Sequence, residues 1–162
     1  MKKLRGVFMN FEKNTLWKVP VYCLLAGVVS FYASLFIFTN IIYKNLDYVS
    51  KFVSYSVYLA IFAVVLIVGG KIFLKGMTKK EIFFSASVII CFMEFINILE
   101  FIFNIPQPFG TTFSIYISMA FQWTNIISKC IFDITENIYI SAFISSLAPY
   151  LFVLFGKNEN NE

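Results

Sequence analysis

Four apolar stretches fill most of the chain: 19–43, 52–70, 82–103 and 138–155. Each is close to or above the ~20 residues that carry a helix across ~30 Å of hydrocarbon. None alternates apolar and polar positions as a barrel strand does, and in lipid only helices and closed barrels satisfy every backbone N–H and C=O. The pattern predicts an all-α, polytopic integral membrane protein: one bundle of four transmembrane helices over residues 1–162.

A fifth pattern sits between the third and fourth stretches. In 113–137 the polar residues Ser114, Ser118, Gln122, Asn125, Lys129, Asp133 and Glu136 recur every three or four positions. At 100° per residue they share one face of a helix. The remainder is mostly Phe, Ile, Tyr, Met and Trp. The segment reads as an amphipathic helix lying along the outer interface, with Trp123 as an interfacial anchor. A crossing helix, giving five spans and an external C-terminus, is the alternative, and a re-entrant segment is a third arrangement. Pro106, Pro108 and Gly110 before it end the third span and permit a redirection.

Lysine and arginine placement orients the chain. Nine lie before the first span (Lys2, Lys3, Arg5, Lys13, Lys18) or between the second and third (Lys71, Lys75, Lys79, Lys80). Two, Lys44 and Lys51, lie in the loop between the first and second, and none lies in 104–112. Both termini and the loop after span two are therefore expected in the cytoplasm, where anionic lipid headgroups would meet the lysines. Met1-Lys2-Lys3-Leu4-Arg5 has the look of a signal n-region. The apolar run that follows is too long for a signal core, and Val28 occupies the place of the lipidated cysteine after Leu24-Leu25-Ala26-Gly27. The first span is read as uncleaved.

Composition narrows the classes further. Hydrophobic residues make up 59% of the chain and charged residues 14%, against about 25% charged in a soluble domain. The mean hydropathy is +0.78. The polar pieces are too short to hold a separate soluble domain. The richness in Phe, Ile, Lys and Asn is what an AT-rich genome encodes, so a bacterial source and a cell-membrane location are expected. With no histidine, the commonest metal ligand and general base is missing. Cys23, Cys91 and Cys130 are widely spaced, without metal or redox spacing. Neither a Gly-x-Ser-x-Gly elbow nor a phosphate-cradling glycine loop is present. Neither an enzyme, a metal site, a cofactor nor a nucleic-acid partner is expected.

Two groups of residues remain as candidate sites. Glu94, Asn97, Glu100 and Asn104 fall within about 120° on the third span, with Ser87 continuing the stripe inward. Glu94 is some twelve residues past Ile82, about 18 Å along a helix, near mid-depth. An ionised carboxylate there costs roughly 2.5–3.5 kcal/mol or more, so Glu94 must be protonated, paired or wetted. As function this is a proton or cation site; as structure it is a polar clasp between helices. The second group is Gln122, Asn125, Lys129, Asp133 and Glu136, either a partner-binding or cavity-lining face or the solvated side of an interfacial helix.

Small residues predict the packing faces: Cys23, Gly27, Ser30 and Ser34 on span one, Ala60, Ala63, Gly69 and Gly70 on span two, and Ser141, Ala142, Ser145, Ser146 and Ala148 on span four. Pro149 is expected to kink the last span. The leading expectation is a non-enzymatic accessory, regulatory or assembly component that works by helix–helix contact with a membrane-protein partner or another copy. The alternative is a small oligomeric transporter or channel with Glu94 as its protonatable site.

Overall fold

Four helices long and apolar enough to cross a membrane form the body of the molecule: α1 (Lys18–Asn45), α2 (Lys51–Phe73), α3 (Lys79–Ile102) and α5 (Ile138–Phe155). A shorter helix, α4 (Asn125–Thr135), precedes α5 and follows a single 3-10 turn, Gln122–Thr124. The structure is a computed structural model that describes residues 15–45, 50–103, 119 and 121–158. Asn104, Ser114, Ser118, Pro106, Pro108 and Gly110 lie outside the described residues, as do the first 14 residues and the last four.

Three of the five helices, α2, α3 and α5, start at a side-chain cap. Ser50 caps α2 by accepting from the Val53 N–H at 3.3 Å. Thr78 and Glu81 cap α3 reciprocally: Glu81 N–H donates to Thr78 Oγ1 at 3.3 Å and Thr78 N–H to Glu81 Oε2 at 2.8 Å. That capping box satisfies two otherwise orphaned donors, so Glu81 does more than punctuate the lysines beside it. Asn137 caps α5 through the N–H groups of Tyr139 and Ile140.

Pro149 changes the last helix rather than simply bending it. The α-helix Ile138–Ser146 gives way to a 3-10 helix over Ala148–Phe155, with Pro149 in its first turn. The missing proline N–H ends the α pattern there. A 3-10 helix rises ~2.0 Å per residue instead of ~1.5 Å. Eighteen residues thereby reach roughly 30 Å, the thickness that a plain α-helix of that length falls a little short of.

Both described chain ends lie at the same end of the bundle. Val19 N–H donates to Ser85 Oγ at 3.0 Å, and Ser85 Oγ donates to Leu16 O at 2.8 Å, tying the start of α1 to α3. Lys79 N–H donates to Lys157 O at 3.1 Å and Lys157 N–H to Met77 O at 3.0 Å, tying the end of α5 to the start of α3. Four crossings with this parity put Lys18, Lys71, Lys75, Lys79, Lys80 and Lys157 at one end, called here the lysine-rich end. Asn45, Lys51, Ile102, Thr135 and Ile138 are at the far end.

The core sits toward the lysine-rich half. Tyr22 donates from its hydroxyl to Val65 O at 2.7 Å, and its ring meets Phe152 edge-on and Phe73 at a tilt. Gly69 and Gly70 are buried where α2 loosens into a π turn, and they admit these rings. A Cβ at Gly69 would overlap Tyr22 and Phe152, and one at Gly70 would overlap Phe155. Cys23, Gly27 and Ser30 are buried on α1, and Ser141, Ser145, Ser146 and Ala148 on α5. Ala60 and Ala63 are exposed, contrary to the packing role expected of them: α2 turns their face to the surroundings.

In the amphipathic segment the surroundings of Trp123 differ from the sequence reading. Trp123 is 0% exposed. Its ring stacks on Phe62 at 5.7 Å and meets Phe152 at 5.5 Å. Phe62 is midway along α2, so Trp123 is deep in the bundle and is no interfacial anchor. From that depth α4 climbs to Thr135 at the far end, and α5 returns antiparallel beside it, with Ser128 and Ser141 hydroxyls 2.7 Å apart. Eleven residues rise ~16 Å as a helix, half of what a crossing needs. α4 is therefore too short to cross by itself, and the stretch 104–118 that leads toward it lies outside the described residues.

Candidate functional site: a lateral groove and a far-end cavity

Two concavities open from this frame. The first is a groove of about 420 Å³ between α3 and α5. Its walls are apolar: Ile98 and Phe101 on α3, Ile140, Phe143 and Ile144 on α5, with Tyr139 toward the far end. These side chains are largely exposed, so the groove faces sideways, where lipid lies in a bilayer. The Phe101 and Tyr139 rings meet edge-on at 5.4 Å and bound it at the far end.

Glu94 and Asn97 form its polar floor. Ser146 donates its hydroxyl to Glu94 Oε1. Glu94 Oε2 and Asn97 Nδ2 are buried without a well-formed hydrogen bond, the Asn97 amide lying beside the Glu94 carboxyl. A buried polar atom left unpaired costs about 1–3 kcal/mol, which makes this pair the least satisfied part of the described molecule. Below it Ser87 and Tyr150 pair their hydroxyls at 3.0 Å, and Tyr150 stacks on Phe83 at 5.0 Å, closing α3 on α5 toward the lysine-rich end. The structure thus brings Glu94 and Asn97 together. It places Glu100 on the last turns of α3, and Asn104 lies outside the described residues.

The second concavity, of about 330 Å³, lies among α2, α4 and α5 at the far end. Lys51 Nζ is 3.7 Å from Asp133 Oδ1, and the Tyr55 hydroxyl donates to Asp133 Oδ2. Lys129 sets its ammonium 4.9 Å from the centre of the Tyr58 ring, a cation–π contact. Here the structure divides the second candidate group. Lys129 and Asp133 face α2 and line the cavity. Gln122 and Asn125 bond to each other, with Asn125 Nδ2 donating to Gln122 Oε1 at 2.6 Å. Glu136 is exposed in the α4–α5 turn with a φ of 51°.

Sequence reasoning missed Ser146, Tyr55 and Tyr58 as the partners of these groups. The signal for the tyrosines was present: positions 55 and 58 are one turn apart beside Lys51, and can meet one facing helix. Comparison with protein-family models, curated proteins and solved structures finds no match.

Proposed function

We propose that this chain is a non-enzymatic membrane component that works by helix–helix contact. Its groove between α3 and α5 receives a partner's transmembrane helix carrying Lys or Arg at mid-depth. One observation carries this reading: at the floor of a groove open to lipid, Glu94 Oε2 and the neighbouring Asn97 Nδ2 are buried without a well-formed hydrogen bond. Acids inside a membrane pair with bases or face water. Ser146 supplies one hydroxyl and leaves the second oxygen open. An ammonium or guanidinium donates to that oxygen, and its apolar stem lies against Phe143 and Ile98. The base has to come from another protein, because 19–43, 52–70, 82–103 and 138–155 contain no Lys or Arg. In a second copy Lys129 of α4 is engaged at the Tyr58 ring nearer the far end.

A tagged full-length protein in phosphatidylcholine vesicles, mixed with a Leu/Ala transmembrane peptide, tests this by energy transfer. A peptide with one central Lys should associate roughly 3- to 20-fold more tightly than the same peptide with central Leu, the size of an interhelical polar contact. Glu94→Gln should erase that preference. Equal binding of the two peptides, or a preference that survives Glu94→Gln, overturns the reading. So does self-association that depends on Glu94.

The alternative, a small oligomeric transporter that protonates Glu94, draws on a different observation. Ser141, Ser145 and Ser146 are buried along the face of α5 that runs from the far-end cavity to Glu94. Solute flux through vesicles of the purified protein, lost in Glu94→Gln, would favour it.

In this proposal the lysine-rich end faces the cytoplasm of a cell membrane, as the excess of lysine there indicates, and it meets anionic lipid. With Cys23, Cys91 and Cys130 replaced, a cysteine at Thr135 should react with an impermeant reagent from outside and one at Asn158 should not. Labelling of both from one side would contradict the four-crossing parity.

A further inference from the structure

We infer that the far-end cavity among α2, α4 and α5 is a binding site for a phosphate-bearing ligand, held by the ammonium of Lys129. The site is independent of the groove at Glu94. Three charged groups line it, Lys51, Lys129 and Asp133, so its walls carry two positive charges against one negative. Asp133 is already engaged, by Lys51 at 3.7 Å and by the Tyr55 hydroxyl. That leaves Lys129 as the cation without a carboxylate among the described residues, and the Tyr58 ring as its neighbour.

Depth makes this arrangement informative. Lys129 is six residues short of Thr135, so its Cα lies about 9 Å inside the far end of the bundle. A cation at that depth is retained where it faces water or an anion. Lys129 is half-buried and the cavity beside it is open and partly polar. Ser128 and Ser141 also line it, their hydroxyls 2.7 Å apart and Ser141 Oγ donating to Ser128 O at 2.7 Å, so the ammonium is the donor left for a ligand. A lysine binds phosphate as a point charge. Lys51 at the rim, its side chain 82% exposed, is placed to turn from Asp133 toward an arriving anion. Phe132 and Ile138 complete the wall and offer an apolar surface to the chain of an amphiphile. A phosphodiester headgroup and free phosphate share this chemistry.

Two measurements on the full-length protein separate them. In nanodiscs of equal phosphatidylglycerol and phosphatidylcholine, native mass spectrometry should find one phosphatidylglycerol retained through delipidation. Lys129→Gln should reduce that retained fraction at least tenfold, and Lys75→Gln, at the lysine-rich end, should leave it unchanged. In an uncharged detergent, inorganic phosphate is titrated while its phosphorus resonance is followed. Broadening by the wild-type protein and not by Lys129→Gln assigns the site to free phosphate; retention without broadening assigns it to the lipid headgroup. Lys51→Gln serves as the second variant, since an exposed side chain at the rim can be changed without unfolding the bundle, and it should weaken whichever ligand binds several-fold. If neither ligand is held, or if both lysine variants hold it as the wild type does, the inference is wrong.

Discussion

Trp123→Ala is expected to be among the two most damaging single substitutions in this chain, lowering stability by about 2–3 kcal/mol. Burial in lipid changes how that figure is built. Between helices in a bilayer there is no hydrophobic gain to lose, because the acyl chains are as apolar as the side chains, and packing supplies the attraction. The cost is therefore mainly that of the void. A void on the order of 100 Å³ costs ~24 cal/mol per Å³, and the site has few means of closing it. Trp123 is wedged between Phe62 of α2 and Phe152 of α5, and Phe152 is itself fully buried against Tyr22. Those three aromatic contacts join α1, α2, α5 and the turn before α4. Trp123→Phe keeps a ring in place, and the indole Nε1 has no hydrogen-bond partner to forfeit, so that variant should lose less than about 1.5 kcal/mol. Denaturation in mixed micelles, followed by circular dichroism, gives both numbers. A loss well under 1 kcal/mol for Trp123→Ala would mean that the turn is not held at mid-depth by this ring. The alanine variant should also loosen α4, since below Asn125 the described chain holds it through this turn. Loosening would appear as faster reaction of Cys130, which is exposed on α4.

What the sequence made legible follows from the solvent. In lipid the length of an apolar run decides whether a helix crosses, so the four spans were readable to within three residues of their observed bounds. Rotation about each axis was not readable. A soluble helix betrays its buried face by contrast with a polar one, whereas α2 is apolar all round, and Ala60 and Ala63 could be assigned to either side. They face outward. Depth was equally hidden in the amphipathic segment. The stripe through Lys129 and Asp133 was plain, but interfacial, re-entrant and crossing helices all share its period. Nor does the period show that Trp123 packs on Phe62, a contact between residues 61 positions apart. The same limit applied to Glu94. Its need for a partner followed from the cost of a carboxylate at mid-depth, while the choice of Ser146 over the other small residues of α5 depended on how α5 faces α3. Pro149 resets that rotation by converting the second half of α5 to a 3-10 helix.

Gly69→Val should equal or exceed the tryptophan truncation, by the opposite mechanism. The Cβ of any residue at this position would overlap both the Tyr22 and Phe152 rings. Neither ring has an exit: Phe152 is 0% exposed and Tyr22 is 7% exposed. Overpacking of a filled interior costs about 1–3 kcal/mol. Moving Tyr22 adds the loss of its 2.7 Å hydrogen bond to Val65 O, worth about 1 kcal/mol, because that carbonyl is at the α2 face buried against α1. Two neighbouring glycines discriminate this account from a general intolerance of glycine replacement. Gly70→Ala meets one ring, Phe155, which is near the end of α5 and only partly buried, so its cost should be below that of Gly69→Val. Gly76 has open space around it and a φ of 93°, so Gly76→Ala should cost only the ~1–2 kcal/mol of a left-handed backbone, with no change in helix packing. If the three variants unfolded at the same denaturant concentration, close approach of α1 and α5 to Gly69 would not be what holds the lysine-rich half together. If the predicted order holds, the inner packing is set by one glycine admitting two rings. The candidate sites at Glu94 and Lys129 then lie away from that packing, where the proposed partner helix and anion would not disturb it.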